Sequence, residues 1–385
     1  MAGEAVRFAL VGAGFIGRIH GLAIQAVNRV FGDAPLRAEA TILIDRDAAL
    51  AERQAARLGF AHWTTDWETG LDRADAVVIA APSFMHREIA LAAAARGKHI
   101  LCEKPVGRSA WEADEIAAAA AKAGVTGGVG FTYMRAPLVR HAIDLVRSGA
   151  LGKPVTFRGR HAEDYLADPA APFSWRLDAR LAGRSGSLGD LGWHIIAIAR
   201  ALCGPVVAVN GLAHTAHGER RAGDGPLRRV ENEDWAGLLL RFADGAVGTI
   251  ESSRIAHGRR MDFGFELTCE HGTIAFDGER ANELAVYRAG EAEAGQGFRT
   301  LRISGAHPDY AAFIPAPAHG LGFNDLKTIE IHAFLRAIAE RRNLGPDLDD
   351  ACRIARICEA ALASSANGAR IDLPEMRPAD PLVAA

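Results

Sequence analysis

The sequence predicts an α/β protein of two domains, an N-terminal doubly wound parallel sheet and a C-terminal α+β domain with a largely antiparallel open sheet. The chain of 385 residues is long for one hydrophobic core, which favours two domains. Up to about residue 131, short apolar strands alternate with helices of about ten residues, as in a parallel sheet. Strand-like segments then follow one another with turns between them. We therefore expect domains at 1–131 and 132–385.

The individual elements are predicted from periodicity and turn residues. In the first domain we expect strands at Val6–Val11, Ala38–Ile44, Ala76–Ala81, His99–Cys102 and Gly127–Phe131, and helices at Ile16–Val27, Ala48–Leu58, His86–Ala95 and Ala110–Ala123. In the second we expect strands at Val155–His161, Val206–His214, Asp234–Phe242, Gly245–Ser253, Phe263–Cys269 and Gly272–Asp277, and helices at Ala136–Ser148, Trp193–Leu202, Asp325–Glu340 and Asp349–Ser364. Gly218–Gly225 and Ala289–Gly297 are interpreted as loop tips.

Composition and charge restrict the class of partner. Hydrophobic residues make up 49% and charged residues 24%, which is typical of a globular protein. The formal charge is −3 without a dense basic run, so neither nucleic acid nor a membrane surface is an expected partner. The arginine pairs at 220–221 and 228–229 are interpreted as parts of a solvated loop.

The cysteines and the N-terminus indicate a cytoplasmic protein. Five widely spaced cysteines without a CxxC pair suit reduced thiols and predict neither a disulfide framework nor a structural zinc site. The first apolar stretch is short and lacks a preceding basic region, so it is interpreted as a buried strand rather than a signal peptide. No apolar run is long enough to span a bilayer.

A glycine-rich turn follows the first predicted strand and opens a helix. Residues 12–17, Gly-Ala-Gly-Phe-Ile-Gly, fit G-x-G-x-x-G. In that motif Gly12 permits the tight turn, Gly14 lets the backbone approach a pyrophosphate, and Gly17 allows close packing of helix on strand. The helix N-terminus favours the negative charge. The segment, including Phe15 and Ile16, therefore predicts a Rossmann dinucleotide site; a glycine-rich turn without a ligand is the alternative.

The end of the second strand bears on the choice of dinucleotide. Asp45 stands where an acid accepts hydrogen bonds from a ribose 2′-hydroxyl and repels a 2′-phosphate. We therefore predict NAD rather than NADP. Arg46 leaves NADP open, because an arginine at this position can stack on adenine or hold a phosphate.

Two segments carry candidate chemistry. Glu103-Lys104-Pro105 closes a strand at the carboxyl edge where ligands bind, and the proline fixes the local backbone. A surface ion pair is the alternative. Asp190 and His194 lie four residues apart and share one face if a helix begins at Asp190. A histidine oriented by a carboxylate is a plausible general base; a capping aspartate with a buried histidine is the alternative.

In this order, G-x-G-x-x-G, Glu-Lys-Pro and Gly-x-x-x-Asp-x-Gly-x-His resemble the Gfo/Idh/MocA family of glucose–fructose oxidoreductases and inositol 2-dehydrogenases, over nearly the whole chain. The resemblance implies that Lys104 hydrogen-bonds the reacting hydroxyl. It implies that His194 takes the hydroxyl proton as hydride leaves for the nicotinamide. Asp190 would orient His194 or bind a neighbouring hydroxyl.

The resemblance extends to further positions. It implies that Ala81, Pro82, Ser83, His86 and Glu103, with Lys104, contact the cofactor and that Tyr133 contacts the substrate. The chain departs from the family where Thr132 and Ser83 stand, since asparagine is frequent at both positions. These departures put details of the cofactor and substrate contacts in doubt rather than the class of reaction.

Several features bear on the substrate. Trp175-Arg176 pairs an indole with a guanidinium, which suits a carbohydrate or nicotinamide face; core packing of Trp175 is the alternative. The Gly/Pro-rich stretch Ile314–Asp325 carries His319 and either closes over a substrate or forms a structural crossover. These segments are most similar to family members that act on pyranosides, such as levoglucosan and glucoside 3-dehydrogenases, with inositol dehydrogenases next. We predict oxidation of a secondary hydroxyl of a sugar, pyranoside or polyol to a ketone.

Two other functions remain open. One is a glycosidase that uses tightly bound NAD for transient oxidation, and the other is a cofactor-binding sensor, which the intact Lys104, Asp190 and His194 disfavour. The 14 histidines show no metal-ligand spacing, so no metal is expected. The open sheet of the second domain predicts a homodimer or homotetramer, because its outer face would otherwise leave apolar surface in water.

Overall fold

The computed structural model describes residues 4–313 and 316–374. Within them the chain forms two compact units, one comprising 4–135 and 321–352 and the other 136–320 and 353–374. None of the helices in these residues is both long and apolar enough to cross a membrane.

The elements alternate in the first unit and are mostly strands in the second. The first 135 residues contain β1 Glu4–Val11, α1 Phe15–Val30, β2 Leu36–Ile44, α2 Ala48–Leu58, β3 His62–Thr64, α3 Trp67–Leu71, β4 Ala76–Ile79, α4 Ser83–Ala95, β5 His99–Cys102, α5 Ala110–Ala123 and β6 Gly127–Val129. They are followed by α6 Pro137–Arg147, β7 Pro154–Ala162, α7 Ala179–Ala182, α8 Trp193–Cys203, β8 Val206–His214, β9 Glu219–Arg221, β10 Leu227–Arg229, β11 Trp235–Phe242, β12 Val247–Ser253, β13 Asp262–Cys269, β14 Gly272–Asp277, β15 Glu283–Arg288, β16 Arg299–Arg302, α9 Phe323–Glu340, α10 Leu348–Asn367 and β17 Ile371–Asp372.

The first unit is built on a parallel sheet, as predicted. Its six strands in the described residues run in the order β3-β2-β1-β4-β5-β6, and each pair is parallel. The central strand β4 is buried along its whole length, which explains its uninterrupted apolar sequence. The strand order reverses between β1 and β4, so the loops after β2, β1, β4 and β5 meet at one edge of the sheet.

The last helix of the first unit comes from late in the chain. Helix α9 packs against α1, and its Phe334 ring lies 6.3 Å from the Phe8 ring of β1. The domain boundary predicted at residue 132 puts this segment in the second domain, whereas the structure groups it with the first unit. The reason is the apolar face of α9, which is buried against the N-terminal elements.

The second unit is built on a mixed sheet that is largely antiparallel, as predicted. In the described residues nine strands run in the order β16-β15-β14-β13-β7-β12-β11-β8-β17, and only β7 and β12 pair in parallel. Helices cover one face: Gly159 of β7 lies under Ile195 of α8, and Gly211 of β8 lies against Ala361 of α10. The other face exposes apolar side chains, which are Leu212, Leu239 and Val247.

One predicted loop is wrong. Gly218–Gly225 contains strand β9, which pairs with β10 in a short antiparallel hairpin. Arg220, interpreted from the sequence as solvated, is 1% exposed, and its guanidinium donates to the carbonyls of Asp168 and Leu166 at 2.7 and 2.6 Å. The arginine is buried because it satisfies carbonyl groups of a neighbouring loop. By contrast, Ala289–Gly297 is the loop between β15 and β16.

Candidate active site

The glycine-rich turn has the geometry that a dinucleotide requires. Gly12 has φ +102°, and a Cβ there would lie 2.6 Å from the Ala80 carbonyl oxygen. A Cβ on Gly17 would collide with the Gly12 carbonyl, so α1 packs closely on the turn. Gly14 is different, because nothing in the protein lies within 4 Å of the position of its Cβ. Since the fold does not require glycine there, the bare backbone suits close approach by a ligand.

The N-terminus of α1 offers backbone donors to an anion. Gly14 is its N-cap residue and has no side chain to cap the first turn. The first N–H groups of a helix lack partners within the helix, and the helix dipole adds positive potential. Residues 12–17 therefore fit a pyrophosphate group.

The carboxylate of Asp45 lies beside this turn. One oxygen accepts a hydrogen bond from the backbone N–H of Ala13 at 2.8 Å, and the other accepts one from Asp47 at 3.0 Å. Asp45 is therefore held at the edge of the sheet next to the glycine-rich turn, the position predicted for a ribose contact. Arg46 is exposed.

The loops after β4 and β5 are tied together by His86. Its ring lies between two carbonyl oxygens, with Nε2 2.8 Å from Ala81 and Nδ1 2.9 Å from Pro105. Burial lowers the pKa of His86, and the hydrogen bonds to the two carbonyl oxygens oppose this effect. His86 thus holds the Ala81-Pro82-Ser83 turn against the Glu103-Lys104-Pro105 turn. Its proposed contact with the cofactor stays a prediction.

In the second unit, Asp190 and His194 belong to one continuous helical segment. A single π-helical turn, Leu188–Gly192, runs directly into α8. Such wide turns occur often at functional sites. The helix therefore begins before Asp190, not at it as the sequence argument assumed. His194 is buried, with 7% of its surface exposed.

The Asp190 carboxylate is the centre of a polar cluster. The Tyr165 hydroxyl donates to its Oδ2 at 2.6 Å, and Arg176 Nε lies 3.8 Å from the same oxygen. The Arg176 guanidinium in turn lies over the Trp175 ring, 4.7 Å from its centroid. Desolvation and the adjacent Asp190 charge raise the pKa of Tyr165 well above its ordinary value, so the phenol keeps its proton. The structure thus brings together the predicted residues Asp190, Trp175 and Arg176 with Tyr165, which was not predicted.

Buried side chains hold the segment that carries Asp190. The Glu233 carboxylate accepts hydrogen bonds from the backbone N–H groups of Gly186 and Leu188 at 2.7 and 2.8 Å. His161 Nδ1 lies 3.0 Å from the Leu191 carbonyl, and the His161 ring is centred 5.7 Å from the His194 ring. Glu233 and His161 therefore hold the backbone of residues 186–191 from two sides.

Two predicted substrate residues lie elsewhere. Tyr133 belongs to the first unit, in the short helical turn Thr132–Arg135, and its ring is 6.0 Å from the Phe323 ring. His319 belongs to the second unit and is exposed, and its carbonyl accepts from the Tyr310 hydroxyl at 2.8 Å. Ile314 and Pro315, at the start of the predicted loop, lie outside the described residues.

Sequence reasoning missed Tyr165 and Glu233. Tyr165 follows β7 in a loop without a motif, and it approaches Asp190 only through the fold. Glu233 stands in the run Glu231-Asn-Glu-Asp234, which is polar enough to suggest a surface loop. Its 4% exposure shows the opposite.

Comparison with known proteins assigns the family. The family model described as an oxidoreductase family with an NAD-binding Rossmann fold matches residues 6–131, and the model of the Gfo/Idh/MocA C-terminal domain matches residues 139–275. The chain belongs to the Gfo/Idh/MocA oxidoreductases. The family confirms the resemblance stated from the motifs.

Full-length relatives of this Gfo/Idh/MocA oxidoreductase support the same assignment. Levoglucosan dehydrogenase of Pseudarthrobacter phenanthrenivorans is 38% identical over 382 residues, covering 95% of this chain and 98% of that protein. A solved levoglucosan dehydrogenase in complex with NADH and levoglucosan is 38% identical with a TM-score of 0.93, covering 97% of this chain and 100% of that one. An NAD-binding oxidoreductase from Klebsiella pneumoniae is 36% identical with a TM-score of 0.92, over 97% of this chain and 100% of that one. The predicted NAD cofactor is thereby confirmed.

In this Gfo/Idh/MocA oxidoreductase, replacing Asp45 by alanine is expected to erode the preference for NAD⁺. The change removes the predicted acceptor for the ribose hydroxyl and the charge that would repel a 2′-phosphate. We expect the ratio of kcat/KM with NAD⁺ to that with NADP⁺ to fall about tenfold or more. Initial rates with each dinucleotide measure it, and Asp72→Ala, an exposed aspartate of the same unit, is the control. An unchanged ratio would remove Asp45 from the cofactor site.

Proposed function

We propose that the protein oxidises a secondary hydroxyl of a pyranoside or related polyol to a ketone with NAD⁺. The observation that carries the proposal is the cluster around Asp190. A carboxylate, a phenol and a guanidinium offer acceptors and donors to sugar hydroxyls, and the indole of Trp175 offers an apolar face. Few other small molecules present hydroxyls and a C–H face together.

Lys104, His194 and Asp190 are proposed to serve one reaction. Bound NAD⁺ supplies the hydride acceptor for the carbon that is oxidised. The Lys104 ammonium donates a hydrogen bond to the reacting hydroxyl and favours its deprotonation. The His194 imidazole takes the hydroxyl proton as general base. Asp190 orients His194 or holds a neighbouring hydroxyl, and Tyr165 fixes one oxygen of that carboxylate.

The substrate class is proposed from the cluster and from the relatives. A curated relative and a solved structure similar to this chain are both named levoglucosan dehydrogenase, and that structure is a complex with NADH and levoglucosan. A bicyclic pyranoside such as levoglucosan is therefore the first compound to test. Other pyranosides, aldoses and inositols follow in the same panel.

The test is a panel of these sugars with NAD⁺ and with NADP⁺, followed by the absorbance of the reduced nicotinamide. We expect NADH formation and a keto product with a pyranoside at substrate concentrations in the micromolar to millimolar range. Cleavage of a glycoside without net NADH would instead establish the glycosidase alternative. Binding of NAD without turnover of any member of the panel would support the sensor.

We also propose that copies of the chain associate through the outer face of the nine-stranded sheet, as a homodimer or homotetramer. The exposed fractions of Leu212 and Leu239 there are 63% and 61%. Leu212 and Leu239 lie on neighbouring strands of this face, opposite Gly237 and Asn210 respectively, and such exposed apolar groups favour burial against a second copy of the same face.

Leu239→Asp is expected to lower the mass of this assembly. The change removes apolar surface and puts a carboxylate into the interface, where it has to be desolvated in the oligomer, whereas it is solvated in the protomer. Light scattering after size exclusion measures the mass, and circular dichroism checks the fold. The control is Leu227→Asp, since Leu227 is 56% exposed in the β9–β10 hairpin. Equal masses for wild type and L239D would rule out this face.

A cytoplasmic location is proposed from the thiols. All five cysteines are free and buried, as a reducing compartment allows. Fractionation of the native host, with the enzyme's NADH-forming activity as the marker, tests the location.

A further inference from the structure

A lysine is completely buried in the first unit. Lys327 of α9 has no exposed surface, and its Nζ lies 2.5 Å from Glu103 Oε1 and 2.7 Å from Glu330 Oε1. His20 of α1, also without exposed surface, places Nε2 2.8 Å from the same Glu103 oxygen. We call these four residues, His20, Glu103, Lys327 and Glu330, the buried charge cluster.

Opposite charges within the buried charge cluster stabilise one another. Burial opposes the charged form of Lys327, but Glu103 and Glu330 outweigh it and raise the Lys327 pKa. Burial also disfavours the Glu103 carboxylate, but Lys327 and His20 outweigh that effect and hold its pKa well below the ordinary value. Both groups are therefore charged at neutral pH. Since buried ion pairs contribute little net stability compared with apolar residues, another role for the cluster has to be sought.

A metal site does not provide that role. One ligand atom each from His20, Glu103 and Glu330 lies within 4.8 Å of the others, a spacing that suits a metal ion. However, the Lys327 ammonium already bridges the two carboxylates. The cation at this position is supplied by the chain itself.

The cluster is linked to Lys104 through one side chain. Glu103 Oε1 is held by Lys327 and His20, while Glu103 Oε2 accepts from the Lys104 backbone N–H at 3.3 Å. The neighbouring Gly130 leaves room for this carboxylate, since a Cβ there would lie 2.6 Å from it. The Glu103 carboxylate thus joins the buried charge cluster to the Lys104 backbone N–H.

We infer that Lys327 is a positioning residue for Lys104 and acts through the Glu103 carboxylate. The inference rests on the proposed catalytic role of Lys104. Without the Lys327 ammonium, Glu103 Oε1 keeps only the His20 contact, and the carboxylate can turn away from the Lys104 N–H. The Lys104 ammonium then approaches the reacting hydroxyl less accurately.

The test uses two variants of the full-length enzyme. Lys327→Met removes the ammonium and keeps the length of the side chain. Because it leaves two buried carboxylates, the second variant is Lys327→Met with Glu330→Met, which replaces the pair by apolar residues of similar size. Lys122→Met, at an exposed lysine of α5, is the matched control.

We expect both Lys327 variants to lower kcat about 10–100-fold, as misplacement of a catalytic group does. KM for the sugar and the Kd for NADH, measured by fluorescence, should change less than about threefold. In the Lys104→Met background, the same changes at 327 should have no further effect on the remaining rate. A purely structural role would lower the rate equally in both backgrounds.

The outcomes separate the two claims. If Lys104→Met keeps wild-type activity, the proposed role of Lys104 fails and the inference fails with it, whereas the proposed function fails only if the wild-type enzyme oxidises no sugar of the panel with NAD⁺. If Lys104→Met is inactive while K327M/E330M is folded and fully active, only the role of Lys327 fails. Failure of both Lys327 variants to fold would show that the cluster serves stability, and this too overturns the inference.

Discussion

Lys104→Ala is expected to lower kcat at least about 100-fold, the usual cost of removing a preorganised donor to developing negative charge. In the proposed reaction the ammonium stabilises negative charge on the hydroxyl oxygen as its proton leaves, and alanine offers neither charge nor donor. Since this interaction strengthens towards the transition state, the loss falls on kcat more than on KM. Steady-state rates with the best sugar and NAD⁺ measure the effect.

Two control measurements show whether the effect of Lys104→Ala is confined to the chemical step. The Kd for NADH should stay within a few-fold of wild type, because the pyrophosphate and ribose contacts are proposed at Gly12, Gly14 and Asp45. Lys122→Ala, at an exposed position, should leave the rate unchanged. A Lys104→Ala enzyme with near-wild-type kcat would exclude the lysine from the chemistry.

His194→Ala is expected to lower kcat by about 10²–10⁴-fold, the usual contribution of a positioned general base. The proton of the hydroxyl then has to pass to water instead of to imidazole. The residual rate should rise with pH as hydroxide takes over this role. Rates between pH 6 and pH 10 measure both the loss and the change in pH dependence.

The control for His194 is another histidine of the second unit. His271 is exposed in the turn between β13 and β14, so His271→Ala should be fully active. The thermal midpoint of His194→Ala has to be recorded as well, because a side chain 7% exposed contributes to packing. A folded His194→Ala enzyme with wild-type kcat and an unchanged pH profile would refute its role as base.

Local sequence signals predicted those parts of the site whose residues lie close together along the chain. The glycines at 12, 14 and 17 and the acid at 45 predicted a dinucleotide site because one turn and one strand end contain all of its parts. Apolar runs and alternation predicted five strands of the first sheet, all but β3, and six of the second, all but β15, β16 and β17. Strand β3 escaped prediction since its sequence, His-Trp-Thr, is mostly exposed and too short to show a period.

The remaining residues depend on contacts between distant segments. Tyr165 meets Asp190 from 25 residues away, and Glu233 reaches Gly186 from 47 residues away. Lys327 is 224 residues from Glu103 in the chain. A lysine within the apolar face of a helix interrupts the hydrophobic periodicity, and this interruption does not indicate which residue the lysine pairs with. No local periodicity encodes which distant carboxylate neutralises a buried ammonium.

The large distance along the chain between α9 and the N-terminal elements limits which fragments of the enzyme can be produced separately. A gene fragment ending at residue 131 would contain every motif of the dinucleotide fold, yet it would lack α9. Its α1 would then expose the surface that packs on α9, and Glu103 would lose its lysine partner. Such a truncated product should aggregate or be degraded. During synthesis on the ribosome, the surface of α1 that packs on α9 likewise stays uncovered until α9 has emerged.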